Sequence, residues 1–75
     1  MIDIQGNIIP DKVVNFIKSE ISAKQGNEDV VIINLLLTEG VYQIEYLVFG
    51  MTNMGYIEFS RDYIIRKMKI TDLGI

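Results

Sequence analysis

The sequence predicts a small single-domain α+β fold in the order β-α-β-β-β-α, with one long helix packed on one face of a mostly antiparallel sheet. Three observations predict it. Residues 10–25 carry apolar side chains at helical spacing. Residues 29–38 and 41–49 read as two strands joined by a Glu-Gly pair. The chain has 75 residues, which is room for a single core. A chain of that size buries only about 60% of the surface its unfolded form exposes, so it depends on good packing or on association. With no repeat, linker or low-complexity stretch, residues 1–75 are expected to form one domain.

The elements follow in order. Ile2 and Ile4 alternate at strand spacing ahead of Gly6-Asn7, a turn signal, so residues 1–5 are expected to form a short first strand. Pro10 suits a helix's first turn, and Asp11 is an anion where the helix dipole favours one. Val13, Val14, Ile17 and Ile21 then fall within about 100° of arc, with Phe16 at the edge. Lys12, Lys18, Glu20 and Lys24 lie away from this stripe or at its margin. Gly26 is the expected left-handed residue that ends the helix, with Asn27 continuing the loop.

Residues 29–38 (DVVIINLLLT) are too short and too β-branched for a good helix and read as a central strand. In residues 41–49, Tyr42, Ile44, Tyr46 and Val48 alternate with Val41, Gln43, Glu45, Leu47 and Phe49. A two-residue turn at Glu39-Gly40 pairs Thr38 with Val41. In that register Leu37 meets Tyr42, Leu35 meets Ile44, Ile33 meets Tyr46 and Val31 meets Val48, all on one face. Residues 50–55 are expected to be a loop between two glycines, and residues 55–60 a third strand. Residues 61–70 satisfy two patterns. Ser60 as cap, Asp62 in a first turn, and Ile64, Ile65 and Met68 at helical spacing favour a short helix. Ile64, Met68 and Ile70 alternating with Lys67 and Lys69 favour a strand. The helix is the expectation adopted. The tail 71–75 is expected to be loose.

Composition removes several function classes. There is no Cys and no His. That excludes thiolate metal sites, disulfides, and every Ser-His or Cys-His catalytic arrangement. Ser19, Ser22 and Ser60 have no activating base, and no Ser-x-x-Lys pair occurs. Glu45 and Glu58 lie on strands expected to be neighbours, but like charges in direct opposition are unfavourable, so the register should keep them apart. The glycines are too scattered for a phosphate loop. No apolar run reaches the roughly 18 residues of a membrane helix. Asp3 and Pro10 do not suit a signal peptide. The expectation is a cytoplasmic, non-enzymatic protein with no cofactor, no small-molecule substrate and no membrane partner. Isoleucine occurs 14 times and Lys outnumbers Arg 5 to 2, a bias shared with proteins of AT-rich bacterial or phage genomes.

Charge is unevenly spread around a net of −3. Residues 30–59 hold Glu39, Glu45 and Glu58 and no cation. Residues 60–75 hold Arg61, Arg66, Lys67 and Lys69 against Asp62 and Asp72. These four cations, near Tyr56, Phe59 and Tyr63, are the candidate nucleic-acid contact. On the helical reading they complement the negative end of a helix instead, and an acidic chain repels phosphate. Nucleic acid is therefore the alternative partner.

The opening Ile2-x-Ile4-x-Gly6-x-Ile8, followed by a helix and an apolar strand, resembles the start of STAS domains and of Clp-protease-like folds over about half of the chain. No catalytic residue of either matches, so the resemblance implies no activity.

The most informative feature is a surplus of apolar residues. The long helix covers one sheet face. On the expected register the other face still holds Val30, Ile32, Leu36, Leu47 and Phe49, with Met51 and Met54 as adaptable contacts at its edge. An exposed patch of several hundred Å2 marks an interface. These seven residues are the candidate protein interface. A regulatory or inhibitory accessory protein, homodimeric or bound to another protein, is the expected function.

Overall fold

The computed structural model describes residues 1–26 and 29–70. One helix, α1 (Asp11–Gln25), precedes four strands: β1 (Val30–Thr38), β2 (Val41–Val48), β3 (Met51–Phe59) and β4 (Ile65–Ile70). The strands form one antiparallel sheet in the order β1-β2-β3-β4, each beside its neighbour in sequence. The expected α+β class holds, while the expected element order changes at both ends.

At the N-terminus there is no strand in the sheet. Ile2 and Ile8 form an isolated bridge across a tight loop. Asp3 organises that loop. Its carboxylate accepts hydrogen bonds from the backbone N–H groups of Gln5 (2.9 Å) and Asn7 (2.8 Å) and from the Asn7 amide (3.2 Å). Such Asx geometry lets a short polar side chain stand in for ladder partners.

α1 follows the sequence closely. Pro10 has extended dihedrals (φ −58°, ψ 143°) and its carbonyl accepts from Val13 and Val14 N–H. Gly26 adopts the left-handed conformation (φ 67°, ψ 27°) and its N–H donates to the Ser22 carbonyl. Ile17 and Ile21 are fully buried, and Val13, Val14 and Phe16 pack against the core. Lys12, Lys18 and Lys24 are exposed.

Two hairpins turn through paired left-handed residues, Glu39-Gly40 (φ 52° and 81°) and Phe49-Gly50 (φ 54° and 74°). This is the type I′ arrangement whose twist matches the strands. The first turn was anticipated. The second replaces the loop expected over residues 50–55: β3 starts at Met51, four residues earlier than its expected start at Gly55.

The register of β1 against β2 is as expected from Leu35 to Thr38 and differs beyond. Ile33 is the extra residue of a β-bulge, so Asn34 pairs with Glu45 and Ile32 with Tyr46. Val30, not Val31, meets Val48. A bulge reverses the side-chain parity of everything beyond it. Val30 and Ile32 therefore join the helix-covered side, while Val31 and Ile33 turn to the other.

Residues 61–70 are not a helix. Ser60 N–H donates to the Ile64 carbonyl, Tyr63 N–H to the Ser60 carbonyl, and Ile64 N–H to the Ser60 hydroxyl. Together with Tyr63 in the left-handed region (φ 60°) these close a tight turn. β4 then returns along β3. The cap-like role expected of Ser60 is real, but it caps a hairpin. Gly55 permits this closeness: a Cβ there would lie 2.5 Å from the Lys69 carbonyl oxygen. The tail 71–75 and Asn27 lie outside the described residues.

The core lies between α1 and the inner sheet face. It joins Ile9, Ile17, Ile21, Val30, Leu35, Ile44, Tyr46, Val48, Ile57 and Ile70. Phe16 of α1, Tyr42 of β2, Phe59 of β3 and Tyr63 of the last turn form an aromatic group beside it, with ring centroids 4.7–5.8 Å apart. Lys12 Nζ lies 5.2 Å from the Tyr63 ring centroid. Such contacts offset the strain of Tyr63's positive φ.

Candidate functional site: the uncovered face of the sheet

Alternation puts every second strand residue on the side away from α1. Reading across the strands by register, this side carries Thr38, Val41, Glu58 and Lys67, then Leu36, Gln43, Tyr56 and Lys69. Next come Asn34, Glu45 and Met54, then Val31, Leu47 and Thr52. No described element lies over it. An open hollow of about 780 Å3 lies on it, with a lining that includes Gln43, Tyr56, Lys67 and Lys69.

The seven interface candidates do not stay together. Leu36, Leu47 and Met54 lie on this face, Met54 being 67% exposed. Val30 is 1% exposed and belongs to the core, and Ile32 packs against it. The bulge at Ile33 is the reason. Phe49 projects from the β2–β3 turn, 66% exposed, and Met51 follows it opposite Val48, at the end of the helix-covered side. Val31, Ile33 and Tyr56 were not among the candidates, yet Val31 is 53% exposed and lies on the open face, with Ile33 and Tyr56 also exposed.

The four cations separate as well. Arg61 is exposed in the β3–β4 turn, and Arg66 is the extra residue of a second bulge. Lys67 and Lys69 stand on the open face, opposite Glu58 and Tyr56. The explanation of these cations as complements of a helix end is overturned, since there is no helix. Among the described residues none of the four makes an ion pair within 4.0 Å. The two strand carboxylates are apart: Glu45 lies between Asn34, whose amide donates to it at 3.0 Å, and Met54, while Glu58 lies between Val41 and Lys67.

Titration marks other places. Burial raises the Tyr42 hydroxyl above its ordinary value, and the neighbouring Tyr63 adds to the effect. This belongs to the aromatic group beside the core, on the side of the sheet that faces α1. The open face presents apolar side chains, a phenol, and charges of both signs.

Comparisons with protein-family models, with curated proteins and with solved structures found no match. The resemblance of the opening residues to STAS and Clp-protease-like beginnings finds no support in the sheet, which is antiparallel throughout and takes no strand from residues 1–9.

Proposed function

We propose that this chain is a non-enzymatic protein–protein interaction module of the cytoplasm, and that two copies meet through the open face of the sheet. One observation carries the reading. Val31, Leu36, Leu47, Met54 and Tyr56 share a face that no described element covers. Strands ~4.8 Å apart, each with about eight residues at ~3.3 Å, give a face of roughly 500 Å2 in projection, so two copies together cover about 1,000 Å2, the lower limit for a specific interface. Its strand residues include Glu45 and Glu58 against Lys67 and Lys69, so the face has no net charge and a second copy meets no net repulsion. A regulatory or inhibitory role, of the kind carried by accessory proteins of bacteria or phages, fits a surface that binds and a chain without histidine or cysteine.

Light scattering after size exclusion should give about twice the chain mass of 8.6 kDa. Leu36→Glu and Leu47→Glu should each return it to the single-chain mass with an unchanged circular dichroism spectrum. A single-chain mass for the parent protein at high micromolar concentration would remove the proposal.

Nucleic acid is a second reading with one observation in its favour. β4 brings Lys67 and Lys69 onto the open face beside Tyr56, where bases stack and phosphates pair in single-strand binders. Against it stand Glu39, Glu45 and Glu58 near the same groove and the net charge of −3.

A further inference from the structure

We infer that the edge of β4, which no described segment pairs, is a docking site for an extended acidic segment of another protein, which adds a strand beside Ile65–Ile70. The two sheet edges differ. At β1 the N-terminal loop reaches the edge at Leu35, whose carbonyl accepts from Ile4 N–H at 3.1 Å. At β4 the strand pairs with β3 on one side, and no backbone hydrogen bond joins it to any other described segment. An unpaired strand edge is a template for another extended chain.

β4 also dictates what that chain looks like. Met68 and Ile70 face the core, while Lys67 and Lys69 stand on the open face. A strand laid alongside sends its own side chains alternately to the same two faces. It is therefore apolar beside Met68 and Ile70 and acidic beside Lys67 and Lys69. A second copy fails this test. Pairing two β4 edges sets the cations of one copy against those of the other, and like charges in cross-strand positions are unfavourable. The lysines thus keep copies apart at this edge and admit a strand bearing carboxylates. The edge offers backbone groups and the open face side chains, with Lys67 and Lys69 shared by both, so the peptide ranking on the parent protein tests the edge and the parent's mass in light scattering tests self-association.

The test uses the whole protein and three dye-labelled seven-residue synthetic peptides, read by fluorescence anisotropy. One alternates valine and glutamate, one alternates valine and lysine, and one is the glutamate peptide N-methylated at every backbone amide. The glutamate peptide should bind at least about tenfold more tightly than either of the others. Its binding should slow hydrogen exchange within residues 65–70. In a protein carrying Lys67→Glu and Lys69→Glu the preference should reverse toward the lysine peptide by about tenfold, the scale of two exposed charge pairs lost and replaced by repulsion. If that double variant misfolds, the ranking of the three peptides on the parent protein still decides. Equal binding of all three overturns the proposal, as does no binding of the glutamate peptide at about 1 mM, the weak limit of useful affinity. Protection confined to residues 41–47, or tighter binding of a single-stranded oligonucleotide of equal charge, overturns it as well.

Discussion

Asp3 carries more of the N-terminal structure than its place near the chain start implies. It is 4% exposed and closes the loop through the Gln5 and Asn7 N–H groups. Burial pushes its pKa up, but hydrogen bonding from Asn7, Gln5 and the Leu37 backbone outweighs that and holds the carboxyl below its ordinary value. The folded state therefore binds its proton more weakly than the unfolded chain. The resulting stability is fully present above the ordinary carboxyl value and is lost as pH falls through the lowered one. Urea midpoints should show Asp3→Ala less stable than the parent at pH 7, with the gap closing below about pH 4. A gap of equal size at both pH values would contradict the carboxylate's role. Ile17 tests the helix face in the same way. It is fully buried, so Ile17→Ala should cost about 2–5 kcal/mol, while Lys18→Ala, exposed one residue later, should cost under about 0.5 kcal/mol. Similar losses from both, measured by urea unfolding, would mean that the stripe is misassigned.

Among the elements, the β2–β3 turn is the least economical. Phe49 sits at φ 54° with its ring largely in solvent. A bulky residue in the left-handed region costs roughly 1–2 kcal/mol, and Asn-Gly is the preferred type I′ pair. Phe49→Asn should therefore raise thermal stability, by about 0.5–1 kcal/mol, provided that Phe49 makes no contact in an assembly. Stabilisation together with weaker self-association would assign the ring to the interface. The elements also differ in how legible they were. α1 was plain because its breaker, its apolar stripe and its terminal glycine agree. β1 was plain as a strand but not in its facing. Val30 to Ile33 and Leu35 to Leu37 are apolar without alternation, so nothing local distinguishes the residue that bulges, and the parity of Val30 and Ile32 could not be read. In β4 the bulge at Arg66 breaks the alternation that would have announced a strand. The aromatic contacts that hold the hairpin join residues as far apart as Phe16 and Tyr63, and no local pattern encodes them. Of the apolar residues expected on the second face, Val30, Ile32, Leu36, Leu47 and Phe49, the register puts Leu36 and Leu47 on the open face. Which residues compose it depended on these two bulges.

At the scale of the whole molecule, net charge bears on the two proposed partner classes. A chain at −3 whose four clustered cations are split between a turn, a bulge and a strand face offers phosphate little. Fluorescence anisotropy with labelled single- and double-stranded DNA and RNA at about 50 mM salt should show no micromolar binding. Binding with a slope of log affinity on log salt near −3 to −4, lost in Arg66→Ala/Lys67→Ala with the fold intact, would instead establish nucleic acid as the partner. The meander itself has a kinetic consequence. Each strand pairs with the strand next to it in the chain, and two of the three connections are two-residue turns. Closing such short loops costs little chain entropy. Topologies dominated by local contacts fold fast, and the strand pairs here are separated by 3 to 18 residues, which places this fold between helical bundles and β-sandwiches. The long-range steps are the docking of α1 onto the sheet and of the Asp3 loop onto β1. Until they occur, the sheet exposes apolar residues on both of its faces, so the time before α1 docks is when a newly made chain is most prone to stick to its neighbours.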